Sequence, residues 1–219
     1  VFAPWIDMEE EMIKNNISLY ALESGDPVSE FDFIGFTLQY ELSFTNVLNM
    51  LKLSGVPINS SDRKGLKQIV VAGGPCACNP EPIADFIDLF FIGEGEEVDL
   101  EVMELYRKCR DEGKSKEEFL IECAQIEGVY VPSLYDVQYN EDGTIKQYIP
   151  KCGAPAVVHK RLMKNGRKLL SRQFRSSSCG NCARQSGAGD FSWLYSWLSI
   201  LSSRLYLPPC TREIARSHQ

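Results

Sequence analysis

The sequence predicts an α/β fold, a parallel sheet with flanking helices on both faces, followed by a β-hairpin linker and an irregular tail. Three observations carry that expectation. Short apolar runs recur at residues 33–38 (FIGFTL), 68–72 (QIVVA) and 89–92 (LFFI), as strands covered on both faces require. Segments of helical periodicity follow the first and third runs. Glycine-bearing turns close the second and third runs, at Gly73-Gly74-Pro75 and Gly93-Glu94-Gly95.

Each element has a local cause. Residues 7–15 (DMEEEMIKN) begin on the N-cap type residue Asp7, place acids where a helix dipole favours them, and set Met8 and Met12 four apart, which predicts a short helix. After the first strand, Phe44, Val47, Leu48 and Leu51 define one helix face, and the helix is expected to end at Gly55-Val56-Pro57. Residues 82–86 allow a helical turn or two between the second and third strands. Val98, Val102, Leu105, Tyr106 and Cys109 line a longer helix that stops at Gly113. Residues 115–123 (SKEEFLIEC) start with a capping-box pattern. Beyond Gly128 the texture alternates over residues 129–132 and 137–149, around an Asp142-Gly143 turn signal, and predicts a hairpin leaving the first domain.

Composition narrows the classes. A net charge of −7 and 44% hydrophobic residues suit a globular protein and give no general reason to expect nucleic acid. There is no apolar run of membrane-span length and no secretory pattern, so cytoplasm is the expected location, with no membrane partner. The eight cysteines follow no framework of spacings and read as mostly reduced thiols. The chain opens on Val1, in a Val-Phe-Ala-Pro stretch that reads as the end of a strand, and is expected to be a fragment. From Gly166 onward eight basic residues face two acids, so the tail carries +6 and the remainder −13.

In an open parallel sheet, ligands bind at the carboxyl ends of the strands. That rule selects Thr37 and Gln39 after the first strand, Gly73, Gly74 and Pro75 after the second, and Gly93, Glu94 and Gly95 after the third as candidate cofactor-binding residues for a small-molecule ligand. Tight strand-to-helix turns alone would also place glycines there. Glu94, Glu96 and Glu97 suit acid or base work and equally suit a helix start. Cys179-Gly-Asn-Cys182 has the spacing of half a zinc site, and the pair Cys76 and Cys78 would have to complete it from a remote loop. His159 and His218 stand near no nucleophile motif, and no self-contained catalytic site or metal site is legible.

The stretches FAPWIDMEEEM, DFIGFTLQYELSFTNVLNML, VVAGGPCACNPEPIADFIDLFFIGEGEE and EGVYVPSLYDVQYNEDGTI carry a more specific signal. Together with Gly153-Ala154-Pro155 and Lys160-Arg161-Leu162-Met163, they resemble the N-terminal part of an uncharacterised family of radical SAM proteins, over residues 1 to 164. The resemblance implies a Rossmann-like domain of the cobalamin-binding or flavodoxin type over residues 1–127. It further implies a hairpin linker over 128–164 that leads to a radical SAM barrel, the expected partner in cis. In the family, three cysteines of a Cys-x-x-x-Cys-x-x-Cys loop hold a 4Fe-4S cluster whose open iron binds S-adenosylmethionine, the source of a deoxyadenosyl radical. Cobalamin is a further cofactor that the resemblance raises, although the loop that would carry its histidine ligand lies before Val1.

Two departures from the family pattern stand out. Its members carry a strand and helix ahead of Val1. In a sheet of order 2-1-3-4-5 that strand is central, so its loss would separate its neighbours and lower stability. The cluster loop is also missing, but the tail, residues 165–219, is compatible with it in another reading frame. Each Trp-Leu pair, at Trp193-Leu194 and Trp197-Leu198, must yield a glycine codon when read one base later, because Trp has a single codon. Permitted codons from Gly189 onward then translate as EIFRGCIRGCRFC, with the cysteine codons overlapping Leu194, Leu198 and Leu201. A one-base frameshift between Lys164 and Leu169 is therefore expected, and it also explains the composition break. The chain reads as the N-terminal part of a radical SAM enzyme of unknown substrate, itself inactive; the alternative is a non-catalytic ligand- or partner-binding module.

Overall fold

A computed structural model of the protein describes residues 1–162. The basic tail, Cys179, Cys182, Cys210, His218 and the shifted-frame positions Leu194, Leu198 and Leu201 lie outside the described residues. The described part is a Rossmann-like α/β sheet with helices on both faces and an appended antiparallel hairpin.

The sheet has the order β1 (Phe33–Thr37), β2 (Ile69–Gly73), β3 (Leu89–Phe91), β4 (Val129–Tyr130). The first three strands are parallel: Phe33 is opposite Ile69, Thr37 opposite Gly73, and Val71 opposite Leu89. β4 runs antiparallel, with Phe90 opposite Tyr130. Two expectations are corrected here. β1 and β2 pair directly along their whole length, with no strand between them, so the order 2-1-3-4-5 does not describe their neighbourhood. Val129 and Tyr130, read as the start of the departing hairpin, instead complete the sheet.

Because β2 is buried almost throughout, its two sets of alternate side chains feed two cores. On one face Val70, Ala72, Ile34 and Phe90 pack with Met12 of α1 (Ile6–Lys14), with Val47 and Leu51 of α2 (Phe44–Leu53), and with Ile83 and Ile87. On the other, Ile69, Val71 and Leu89 pack with Val98, Val102 and Tyr106 of α3 (Gly95–Asp111) and with Phe119 and Cys123 of α4 (Lys116–Cys123). Phe33, Tyr106 and Phe119 meet edge to face there.

Local signals set the helix ends. Ser115 caps α4 with a complete capping box: the Glu118 N–H donates to Ser115 Oγ at 3.2 Å and the Ser115 N–H donates to Glu118 Oε2 at 2.8 Å. α1 begins one residue before Asp7, which lies in its first turn rather than at the cap. Between β2 and β3 the chain forms 3-10 turns, Pro75–Cys78 and Glu81–Phe86, each with a proline in its first turn, where no backbone N–H is needed. The hairpin pairs β5 (Tyr135–Tyr139) with β6 (Ile145–Pro150) around the expected Asp142-Gly143 turn.

A buried ionic cluster fixes the amino-terminal ends of the strands. Asp88 is fully buried and accepts hydrogen bonds from Ser60 Oγ (2.5 Å), the Val70 N–H (2.7 Å) and Arg63 Nε (3.2 Å), while Lys116 Nζ lies 2.6 Å from it. Arg63 also donates to the carbonyls of Pro57, Ile58 and Phe86, and Lys116 to that of Arg63. Burial pulls the pKa of both cations down, and Asp88 works against that shift.

Candidate functional site

Parallel pairing aligns the carboxyl ends of β1, β2 and β3 along one sheet edge, so all eight sequence-selected residues lie at that end. Thr37 faces Gly73 across the ladder, and the Leu38 N–H continues it by donating to the Gly73 carbonyl at 2.7 Å. Gln39 follows, half-buried, and its Oε1 is buried without a hydrogen-bond partner among the described residues. Pro75 opens the 3-10 turn that carries Cys76 and Cys78. Glu94 precedes α3 and Gly95 begins it.

Two of the glycines are used by the chain itself. Gly74 has a φ of +102°, and a Cβ there would lie 2.8 Å from the Leu38 carbonyl oxygen. Gly93 has a φ of +110°, and a Cβ there would overlap the backbone of Arg161. Arg161 belongs to a strap, residues 151–162, that returns from the hairpin to the same sheet edge. Its N–H donates to the Ile92 carbonyl at 2.8 Å, and its own carbonyl accepts from the Glu94 N–H at 3.1 Å, which makes a parallel bridge with Gly93. Gly128 forms the other wall of this notch, where a Cβ would lie 2.7 Å from Arg161 Cβ.

The Arg161 guanidinium anchors the strap to α3. Its NH2 group reaches Glu101 Oε1 at 2.5 Å and Glu97 Oε2 at 3.2 Å, whereas Nε is buried without a partner among the described residues. These hydrogen bonds raise the pKa of a side chain that is always charged, so the clamp is insensitive to pH on the basic side. Sequence reasoning missed this contact. The available signal was the carboxylate pair Glu97 and Glu101, one helical turn apart, but its cation comes from 60 residues downstream in the case of Glu101.

Next to the strap lies a cleft of about 250 Å³ lined by Glu81, Tyr130, Tyr135, Tyr148, Ala156 and Val158, among others. None of the eight strand-end residues lines it. Tyr130 donates to Glu81 Oε1 at 2.6 Å, and Tyr135 donates to the Pro155 carbonyl at 2.8 Å.

The described residues do not fit an iron–sulfur cluster. No group of three or more His, Cys, Asp or Glu side chains among them is placed to hold a metal ion. Cys109 and Cys123 are buried in the α3–α4 core, and burial pushes both thiols up, away from the thiolate that iron requires. Cys76 is half-buried, and burial with Glu41 nearby raises its thiol too. No helix among the described residues is long and apolar enough to cross a membrane.

Comparison with known proteins adds the context that geometry lacks. An uncharacterised protein of Methanocaldococcus jannaschii is 36% identical over 99 residues, covering 45% of this chain and 21% of its own length. The chain thus spans about a fifth of that curated relative. No solved structure matches. The profile of the family described as "Radical SAM proteins, N-terminal" matches residues 1–132, which is more than half of the chain and includes every strand of the sheet. The chain belongs to the family of radical SAM protein N-terminal regions.

Proposed function

We propose that this chain is the amino-terminal piece of a cytoplasmic radical SAM enzyme, with a Rossmann-like domain that Val129 and Tyr130 complete, a hairpin linker after it as far as residue 164, and an out-of-frame segment from residue 165. The family match over residues 1–132 carries this reading. In such an enzyme the barrel that follows in the same polypeptide holds the 4Fe-4S cluster and S-adenosylmethionine, and the substrate reacts there. This chain has no Cys-x-x-x-Cys-x-x-Cys sequence and is inactive alone on this reading. Cobalamin is not part of the proposal, because the backbones of Leu38 and Arg161 fill the space that Gly74 and Gly93 would offer a large ligand.

The nucleotide sequence tests the frameshift directly. The second frame is expected to stay open from codon 165 through the codons that overlap Leu194, Leu198 and Leu201, and a stop codon in that interval refutes it. A frame-restored version, reconstituted anaerobically with iron and sulfide, should acquire the visible absorbance of a cluster that the present chain does not acquire. Cluster assembly by the present chain would overturn the claim that it is inactive alone.

A second reading, a non-catalytic ligand-binding module, has its own support in the unpartnered buried Gln39 Oε1 at the strand ends. Mass spectrometry of the extract from denatured protein checks it. The reading needs a small molecule that Gln39→Leu reduces, and it fails if no molecule is retained.

A further inference from the structure

We propose that the cleft between Glu81, the tyrosines and the strap binds a compact alkylammonium cation. Three tyrosines, Tyr130, Tyr135 and Tyr148, contribute to its wall, and the Tyr130 and Tyr135 rings lie 5.0 Å apart and tilted by 37°. The carboxylate of Glu81 lines the same space, holds the Tyr130 hydroxyl at 2.6 Å and has no ion-pair partner among the described residues. Among the described residues, no lysine or arginine lines the cleft. Ala156 and Val158 of the strap supply an apolar surface.

Each feature selects the same chemistry. Aromatic faces carry negative electrostatic potential and attract cations, most strongly where water is partly excluded. The phenols stay neutral: burial raises all three, and the Glu81 carboxylate raises Tyr130 and Tyr148 further. An unpaired carboxylate at the same place completes an electronegative site, which disfavours phosphate or carboxylate ligands. The alkyl groups of the cation match the apolar strap wall, and the cleft volume of about 250 Å³ limits the ligand to a small one. This site shares no residue with the eight strand-end positions, so its test is independent of the radical SAM reading.

Tetramethylammonium chloride is the probe, titrated into the full chain while tyrosine-ring NMR shifts are followed against sodium chloride at equal ionic strength. The expected result is a saturable shift of the Tyr130, Tyr135 and Tyr148 rings. The neutral analogue tert-butanol should shift them weakly. Glu81→Gln keeps an acceptor for Tyr130 and should weaken binding about tenfold, and Tyr148→Leu, on the exposed hairpin, should weaken it about fivefold. Non-saturable shifts, equal binding of tert-butanol, or wild-type affinity in Glu81→Gln overturns the proposal.

Discussion

Replacing Asp88 with alanine removes the single carboxylate that two buried cations share. Its side chain is fully buried, and those of Arg63 and Lys116 are 1% and 7% exposed, so little solvent reaches the charges. The variant leaves a guanidinium and an ammonium facing each other, and it deprives the Val70 N–H and the Ser60 hydroxyl of their acceptor. Breaking a buried pair by removing one partner costs about 3–5 kcal/mol, and the two cations put this site at the upper end. That is a large part of the roughly 5–15 kcal/mol that holds a domain of this size. Asp88→Asn keeps an acceptor for Ser60 and should lose about 3 kcal/mol. Lys116→Met leaves Asp88 paired with Arg63 and should cost only about 1–2 kcal/mol, chiefly through the carbonyls of Ser60 and Arg63 that lose a donor. Urea unfolding followed by circular dichroism gives the ranking. If Asp88→Ala is no less stable than Lys116→Met, the carboxylate is not what holds the cluster together.

Three further outcomes follow from other contacts. Gly93→Ala forces a side chain into the Arg161 notch at a φ of +110° and should make residues 151–162 more sensitive to limited proteolysis; an unchanged cleavage pattern would contradict the docking of the strap. Ser115 hydrogen bonds hold the Glu118 carboxyl below its usual value, so the stability it contributes is complete above about pH 4.3 and disappears as pH falls through the lowered folded value. Glu118→Gln should therefore lower the urea midpoint at neutral pH and match the wild type in strong acid, a convergence that a pH series of unfolding curves will show or exclude. Val102→Ala empties two methyl groups from a fully buried position between the sheet and α4, and should cost about 2 kcal/mol in the same assay.

Much of the fold is legible in the sequence because its signals are local. β1, β2 and β3 lie within one residue at each end of the expected apolar runs, and the capping-box pattern at Ser115 gives the start of α4. The errors arise where partners are distant. Val129 and Tyr130 look like the first residues of a hairpin because alternation cannot say which strand they will meet, and they meet β3. Asp88 looks like an ordinary acid before a strand, since its cations come from 25 residues upstream and 28 residues downstream. At the strand ends, the sequence marks where the chain must be thin but not what approaches it. At Gly74 and Gly93 the approaching group is the backbone of this same polypeptide.

The notch around Arg161 also orders events in time. Gly93 and Gly128 are made well before residue 161, so during synthesis the sheet edge stands open while the hairpin and strap are still being added. The amino-terminal fold is complete only when the ribosome has released Arg161 to meet Glu97 and Glu101. A nascent chain halted ahead of that point should remain open to proteases at the carboxyl end of β3, and one halted beyond it should be closed. The strap thereby makes the closing of the strand ends wait for the last residues of the described fold.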